Sequence, residues 1–271
     1  MSDCCKSGFK WDGKPVGTET KLANIDAYVT GSNKNVAVLI VHDIFGWTFP
    51  NVRLLADHYA SEAGATVYVP DFFGGEVVHP DTMSDPARLA AFDIGAFLGK
   101  NGKAVREPEI AACAKALKQE LGFKKVGAVG FCYGGWAVFR LGAKGLYQST
   151  LTNDLLLYIW LTVENLPITG NALVDCVAAN HPSLLEKSEV DAISVPVQVC
   201  ATENDPFLAG EMIEHINKVI PTLGVEYDYQ YFPGQVHGFA SRADTSDPKQ
   251  VKALERAKNA TVSWLREHLS S

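Results

Sequence analysis

The sequence predicts an α/β domain with a mainly parallel central sheet and helices on both faces. Three observations carry that expectation. Strand-like and helix-like segments take turns along the chain, several strand-like ones are continuous apolar runs, and no Pro/Gly/Ser-rich linker divides the 271 residues. A chain of this length accommodates one large domain with a substantial core, and residues 1–271 are read as one.

The first clear strand is VAVLIV, Val36 to Val41, a β-branched run suited to a strand covered on both faces. HDIFGW follows as a loop. In NVRLLADHYASEAG, Val52, Leu55, Tyr59 and Ala63 recur at helical spacing before Gly64 ends the pattern. ATVYVP is the next strand. Pro86 to Lys100 and Pro108 to Leu121 read as helices, the second with Pro and Glu in its first turn, where both suit an N-terminus. KVGAVGF returns to strand, and a helix follows from about Tyr133 to Ala143. LVDCVAA, VPVQVCA and VEYDYQYF supply three more strands, with a helix over Phe207 to Ile220 before the last. A closing helix opens at SDP and sets Val251, Leu254, Leu265 and Leu269 along one face.

The stretch from Leu146 to Asn171 breaks this rhythm, being neither amphipathic nor bounded like a loop. Its apolar centre, LLLYIWL, is far too short to span a bilayer. Two readings fit: an inserted helix or hairpin that forms a lid or oligomer contact, and non-native coding sequence whose removal would join RLGAKG to ALVDCV.

A net charge of −7 opposes general affinity for nucleic acid or anionic membranes and favours a small-molecule partner. The opening MSDCCKSGFKWDGK has no apolar signal core, so the expected compartment is the cytoplasm. Six cysteines without paired CxxC clusters read as reduced thiols rather than a disulfide framework or a zinc site. Cys113, Cys176 and Cys200 lie in apolar stretches and are expected in the core; Cys4 and Cys5 read as an exposed tail. No metal cluster or phosphate loop is legible, and no cofactor is expected.

The stretch VGAVGFCYGGWAVF, Val126 to Phe139, places Cys132 between a strand and a helix in a G-x-C-x-G-G turn. Such a turn is a nucleophile elbow: glycines permit close backbone approach, and one side chain is lifted above the carboxyl edge of the sheet. The helix start beyond it supplies a positive dipole end and free amides, which lower a thiol pKa and hold a developing oxyanion. The bland reading, a buried cysteine in a tight turn, weakens once partners are sought. ATENDPF puts Asp205 just beyond a strand, and FPGQVHGFASR puts His237 in a glycine-bearing loop after the last strand. The order nucleophile, acid, histidine is that of the α/β-hydrolase arrangement. Glu203 is a rival for Asp205 and His42 for His237, whereas His58, His79, His181, His215 and His268 read as solvated or hydrogen-bonded residues.

Taken together, GFCYGG, ATENDPF, VHGFA and HDIFGW resemble the dienelactone hydrolases, and the vicinal CC with GFKWDGKPVGTE resembles the fungal-type branch. The resemblance covers nearly the whole chain except the Leu146 to Asn171 stretch. It implies an α/β-hydrolase fold and a Cys132, His237, Asp205 triad acting on esters or lactones without a cofactor, as a monomer or homodimer. It also implies that Asp43 controls the nucleophile's proton, that the Ile44 and Tyr133 amides form the oxyanion hole, and that Arg242 holds a substrate carboxylate. A second substrate-binding arginine has no clear counterpart beyond Arg88. In the mechanism expected, Cys132 forms an acyl-thioester that His237 and Asp205 help water to release. Two other classes stay open: a redox-sensing or scaffolding homologue, and a glutamine amidotransferase, whose acid would stand two residues after the histidine, where this chain has Phe239.

Overall fold

The structure, a computed structural model, describes residues 11–83, 85–145 and 171–270. Cys4, Cys5 and all of the Leu146 to Asn171 stretch but its last residue lie outside them.

The core is an eight-stranded sheet: β1 (Thr18–Leu22), β2 (Ile25–Thr30), β3 (Val36–Val41), β4 (Thr66–Pro70), β5 (Lys125–Phe131), β6 (Cys176–Asn180), β7 (Val197–Asn204) and β8 (Tyr227–Val236). Their spatial order is β1-β2-β4-β3-β5-β6-β7-β8. From β4 to β8 every pairing is parallel, and β1 and β2 join as antiparallel strands at one edge. All six residues of β3 are buried, as its unbroken β-branched run requires of a strand with helices on both sides. The expected α/β class, mostly parallel with flanking helices, is the one observed.

The β1–β2 hairpin is an addition to the sequence reading. Four of the five residues of TETKL are exposed, so the strand carries no apolar run to mark it. Its charged side chains suit an edge strand, which must not recruit other chains. Ala23 and Asn24 close the hairpin with φ of 49° and 65°, the left-handed pair that a two-residue turn demands.

Helices α1 (Pro50–Ala63) and α9 (Pro248–Leu269) pack against each other and the sheet. Leu265 and Leu269 lie over β5 at Gly127, and Trp264 Nε1 donates to the Val177 carbonyl at 3.0 Å, fixing α9 on β6. The other layer holds α4 (Lys103–Gln119) and α5 (Gly134–Leu141), with Trp136 of α5 fully buried. Helix boundaries depart from expectation in two places. Pro86 to Lys100 is two helices, α2 (Pro86–Ala91) and α3 (Ile94–Asn101), because Asp93 turns extended and caps α3 by accepting the Ala96 N–H at 2.9 Å. Helix α4 begins before Pro108, which sits in its second turn and so removes a single intrahelical hydrogen bond. Helices α6 (Lys187–Asp191), α7 (Gly210–Val219) and α8 (Phe239–Arg242) complete those of the described residues. Among the described residues no helix is long and apolar enough to cross a membrane.

Because β3, β5, β6, β7 and β8 run in one direction, their carboxyl ends share one edge of the sheet. Residues just after Val41, Phe131, Asn180, Asn204 and Val236 are therefore brought together, although they span almost two hundred residues of chain.

Close approach at that edge depends on Gly134, where a Cβ would stand 2.0 Å from the Val41 carbonyl oxygen. Gly134→Ala is expected to destabilise the fold by about 3 kcal/mol through overpacking against a strand backbone that cannot yield. The midpoint of urea unfolding measures it.

Candidate active site

Cys132 follows β5 directly, with a φ of 49°, a backbone conformation that a non-glycine residue adopts only under constraint. The constraint is visible. Its N–H donates to the Asn180 carbonyl at 3.1 Å, and its carbonyl accepts from Gly135 and Ser183, both at 2.9 Å. Two positions away on either side stand glycines, and a Cβ on Gly130 would lie 2.3 Å from the Gly134 carbonyl oxygen. The turn thus points the thiol out over the start of α5.

His237 follows β8 and Asp205 follows β7. Both Asp205 carboxylate oxygens lie 2.9 Å from His237 Nδ1, with the two side chains almost wholly excluded from solvent. Asp205 is held in turn by the Phe207 N–H at 2.9 Å and the Thr202 hydroxyl at 3.3 Å. The rival acid, Glu203, is exposed and accepts the Gly234 N–H instead. The rival base, His42, is buried with Nδ1 on the Asp43 carbonyl and Nε2 accepting from the Phe72 N–H, a packing role.

His237 Nε2 is buried without a full hydrogen bond, but the ring and the Cys132 sulfur lie close enough to set each other's protonation. Burial opposes charge on both, yet the pair outweighs it. The imidazole pKa is raised by the thiolate and by Asp205, and the thiol pKa is lowered by the imidazolium and by Arg242. Burial instead pushes the thiols of Cys113 and Cys176 up to about 12, and Cys200 higher still, as expected of core residues. Of the four described thiols, Cys132 is the one whose pKa is lowered.

Asp43 and Arg242 meet beside this pair. Asp43 accepts from the Phe45 N–H at 3.0 Å, from the Ser241 hydroxyl at 2.9 Å and from Arg242 Nη1 at 3.2 Å; the Cys132 thiol is not among its partners. Its negative charge still bears on the sulfur, opposing the thiolate. Ile44 and Tyr133 border the cavity in front of Cys132, and among the described residues neither amide donates to another protein group. Arg88 lies elsewhere, exposed on α2 and paired with Asp85 at 3.7 Å.

Two residues after β6 escaped the sequence reading. Ser183 places its hydroxyl 3.7 Å from the Cys132 sulfur. His181, expected to be solvated or hydrogen-bonded, is instead fully buried with neither ring nitrogen partnered, its ring 5.0 Å edge-on from that of His237. Burial, then the charges of His237 and Arg242, push its pKa well down, so it is neutral. The only signal for either was position, immediately beyond a parallel strand. His268 is likewise mostly buried, its ring edge-on to that of Trp264.

Asn51 of α1 donates to the Ser241 carbonyl at 2.9 Å, and Trp11 donates its indole N–H to the Ala243 carbonyl at 2.9 Å, so the C-terminal end of the α8 turn is tied down. The cavity holds about 240 Å³ and its walls, including Ile44, Phe45, Leu98, Leu184 and Phe207, are apolar. Among the described residues no cluster of His, Cys, Asp or Glu is arranged to hold a metal ion.

The sequence model of the dienelactone hydrolase family matches residues 25–151 and 164–269. The unmatched residues 152–163 fall inside the stretch set apart as irregular. Similar curated proteins include the hydrolase pyvD of Aspergillus violaceofuscus, 28% identical with 99% of this chain and 97% of that protein covered. The carboxymethylenebutenolidase homolog of Homo sapiens is 29% identical, with 98% and 96% covered. A solved dienelactone hydrolase-like promiscuous phosphotriesterase from metagenomic libraries shares the fold at a TM-score of 0.62 and 19% identity, with 93% of this chain and 97% of that one covered.

If Cys132 and His237 form an ion pair, Cys132 alkylation by iodoacetamide persists as pH falls below the ordinary thiol pKa of about 8.5 and is lost only on passing the lowered value. In His237→Ala the midpoint moves up, because the partner that favours the thiolate is gone. Rates measured between pH 5 and 10 give both midpoints.

Proposed function

The chain belongs to the dienelactone hydrolase family, and from that premise we propose that it hydrolyses lactones or activated carboxylic esters through an acyl-thioester on Cys132. One observation supports this reading above the rest: the sole described thiol with a lowered pKa lies against an imidazole whose other nitrogen is gripped by both oxygens of a buried carboxylate. A thiolate, a proton carrier and an orienting acid are the parts that nucleophilic acyl transfer needs.

In the proposed reaction the Cys132 thiolate adds to the substrate carbonyl carbon, and the oxyanion that forms is held by the Ile44 and Tyr133 amides. The carbon–oxygen bond to the leaving group breaks, and His237 gives its proton to the departing alkoxide or enolate. Water then attacks the thioester while His237 takes a proton from it, and the carbon–sulfur bond breaks to free the acid and restore the thiolate. Asp205 fixes the ring for both transfers. The strength of a thiolate as a leaving group sets the substrate range, because the first adduct reverts unless the substrate oxygen leaves easily. Lactones of enols and activated esters meet that condition better than amides.

Asp43 acts on the thiolate through charge: its proximity disfavours the anion and so moderates a nucleophile that His237 and Arg242 promote.

Cys132→Ala is expected to lower turnover of p-nitrophenyl esters and of an enol lactone by about 10⁴-fold. In the wild type, rapid quench and mass spectrometry should find the acyl group on the peptide that contains Cys132. Unimpaired turnover in the alanine variant, or an acyl group carried by Ser183 instead, would overturn the assignment.

A further inference from the structure

Ser183 presents the reacting sulfur with a hydroxyl that the mechanism above leaves unused. The residue is 5% exposed and borders the cavity, and its Oγ lies 3.7 Å from Cys132 Sγ, the hydroxyl's one hydrogen-bond partner among the described residues. A buried hydroxyl costs free energy to desolvate unless it is bonded, so that contact matters to both groups.

The backbone around it is built to hold the hydroxyl in place. The Ser183 N–H donates to the Cys132 carbonyl at 2.9 Å, so the side chain keeps station with the elbow. His181 and Leu184, on either side of the Pro182–Ser183 pair, take left-handed φ of 39° and 59°. Pro182 fixes its own φ and packs on the start of α5, where a Cβ on Gly135 would lie 2.3 Å from the proline Cβ. Non-glycine residues held in the left-handed region collect at functional positions, where the surrounding structure over-determines them.

The direction of the bond follows from the state of the sulfur. A thiolate has no proton to give, so the Ser183 O–H donates to it. Among the described residues no imidazole or carboxylate bonds the hydroxyl, so it has no base to make it a second nucleophile. The donor is needed most in the second half of the reaction. His237 is then neutral, having given its proton to the leaving oxygen, and its Nε2 faces the incoming water. A single nitrogen does not serve the entering water and the departing sulfur at once.

We propose that Ser183 is a catalytic residue of the deacylation step, donating its hydroxyl hydrogen bond to the Cys132 sulfur as the carbon–sulfur bond breaks. The inference rests on the hydrolase reading above and adds a residue to its machinery. Water oxygen bonds the thioester carbon and passes a proton to His237; the carbon–sulfur bond then breaks, with its electron pair going to sulfur. Ser183 keeps its own proton throughout and only shares it with the developing anion. The thiolate so formed meets the imidazolium again, which restores the starting pair. A sulfur that is better stabilised as an anion leaves faster and attacks less strongly, so the donor favours release of the acid over attack on the ester.

The test separates the two half-reactions in wild type, Ser183→Ala and Ser183→Thr with p-nitrophenyl acetate. Stopped-flow release of p-nitrophenolate gives acylation, and rapid quench with mass spectrometry gives loss of the acetyl group from Cys132. The pH is set where iodoacetamide titration shows each enzyme fully thiolate, so that His237, Arg242 and Asp43, the charged groups that bear on the sulfur, act alike in all three. In Ser183→Ala, deacylation is expected to slow by about tenfold or more, the worth of a charge-assisted hydrogen bond, while acylation is no slower. Acetyl-enzyme therefore accumulates. Ser183→Thr keeps the hydroxyl and is expected to restore deacylation. Unchanged deacylation in Ser183→Ala, or equal slowing of both steps, would remove the role assigned to Ser183 and leave the hydrolase reading intact. Absence of acetyl-Cys132 in the wild type would instead remove that reading and this one with it. Ser183→Gly, which also lacks the hydroxyl, decides the same comparison if the alanine variant does not fold.

Discussion

The arrangement at the sheet edge depends on one backbone constraint, the left-handed turn at Cys132. Holding a non-glycine residue there costs on the order of 1–3 kcal/mol, and the surrounding chain must supply it. It does so from β6, whose last residue accepts the Cys132 N–H and whose following loop returns the Ser183 N–H to the Cys132 carbonyl. The elbow is therefore clamped by the neighbouring strand as well as formed by its own. The same loop that fixes the backbone also delivers the Ser183 hydroxyl to the sulfur and the His181 ring to His237, so strand pairing and site chemistry are one structure seen at two scales.

Beyond the turn, the site is an exercise in pairing charges where water is excluded. Two buried pairs of opposite sign stand there, Asp205 with His237 and Asp43 with Arg242. An unpaired charge at such depth would cost several kcal/mol, so removal of either member of a pair disturbs the other more than its own loss implies. His181 is the exception that stays neutral, pressed against a cation and left without a hydrogen-bond partner. A protonated ring there would stand beside His237 and Arg242, and burial together with those charges keeps the proton off.

Much of this was legible in the sequence. The parallel strands announced themselves as unbroken apolar runs, and the residues that converge, Cys132, Asp205 and His237, each follow a strand in a turn with recognisable chemistry. The failures have physical causes. Strand β1 is an exposed edge and needs no apolar residues to persist, so TETKL reads as a loop. The break at Asp93 is decided by a side chain capping the next helix, an option that helical periodicity does not reveal. Ser183 and His181 lie in no motif and matter only because β6 pairs with β5. Arg242 could be placed near the site from sequence, but its partner Asp43 is 199 positions away, and only the folded sheet brings the two together.

The grip of Trp11 on Ala243 has a consequence for how the site is shared across the chain. Trp11 stands ahead of β1 and outside the cavity lining, yet it is tied to the residue next to Arg242, on the loop that also presents His237. The leading segment thus behaves as a guy-rope. Slack introduced there bears on the turn that carries Arg242, and through it on the Asp43 carboxylate.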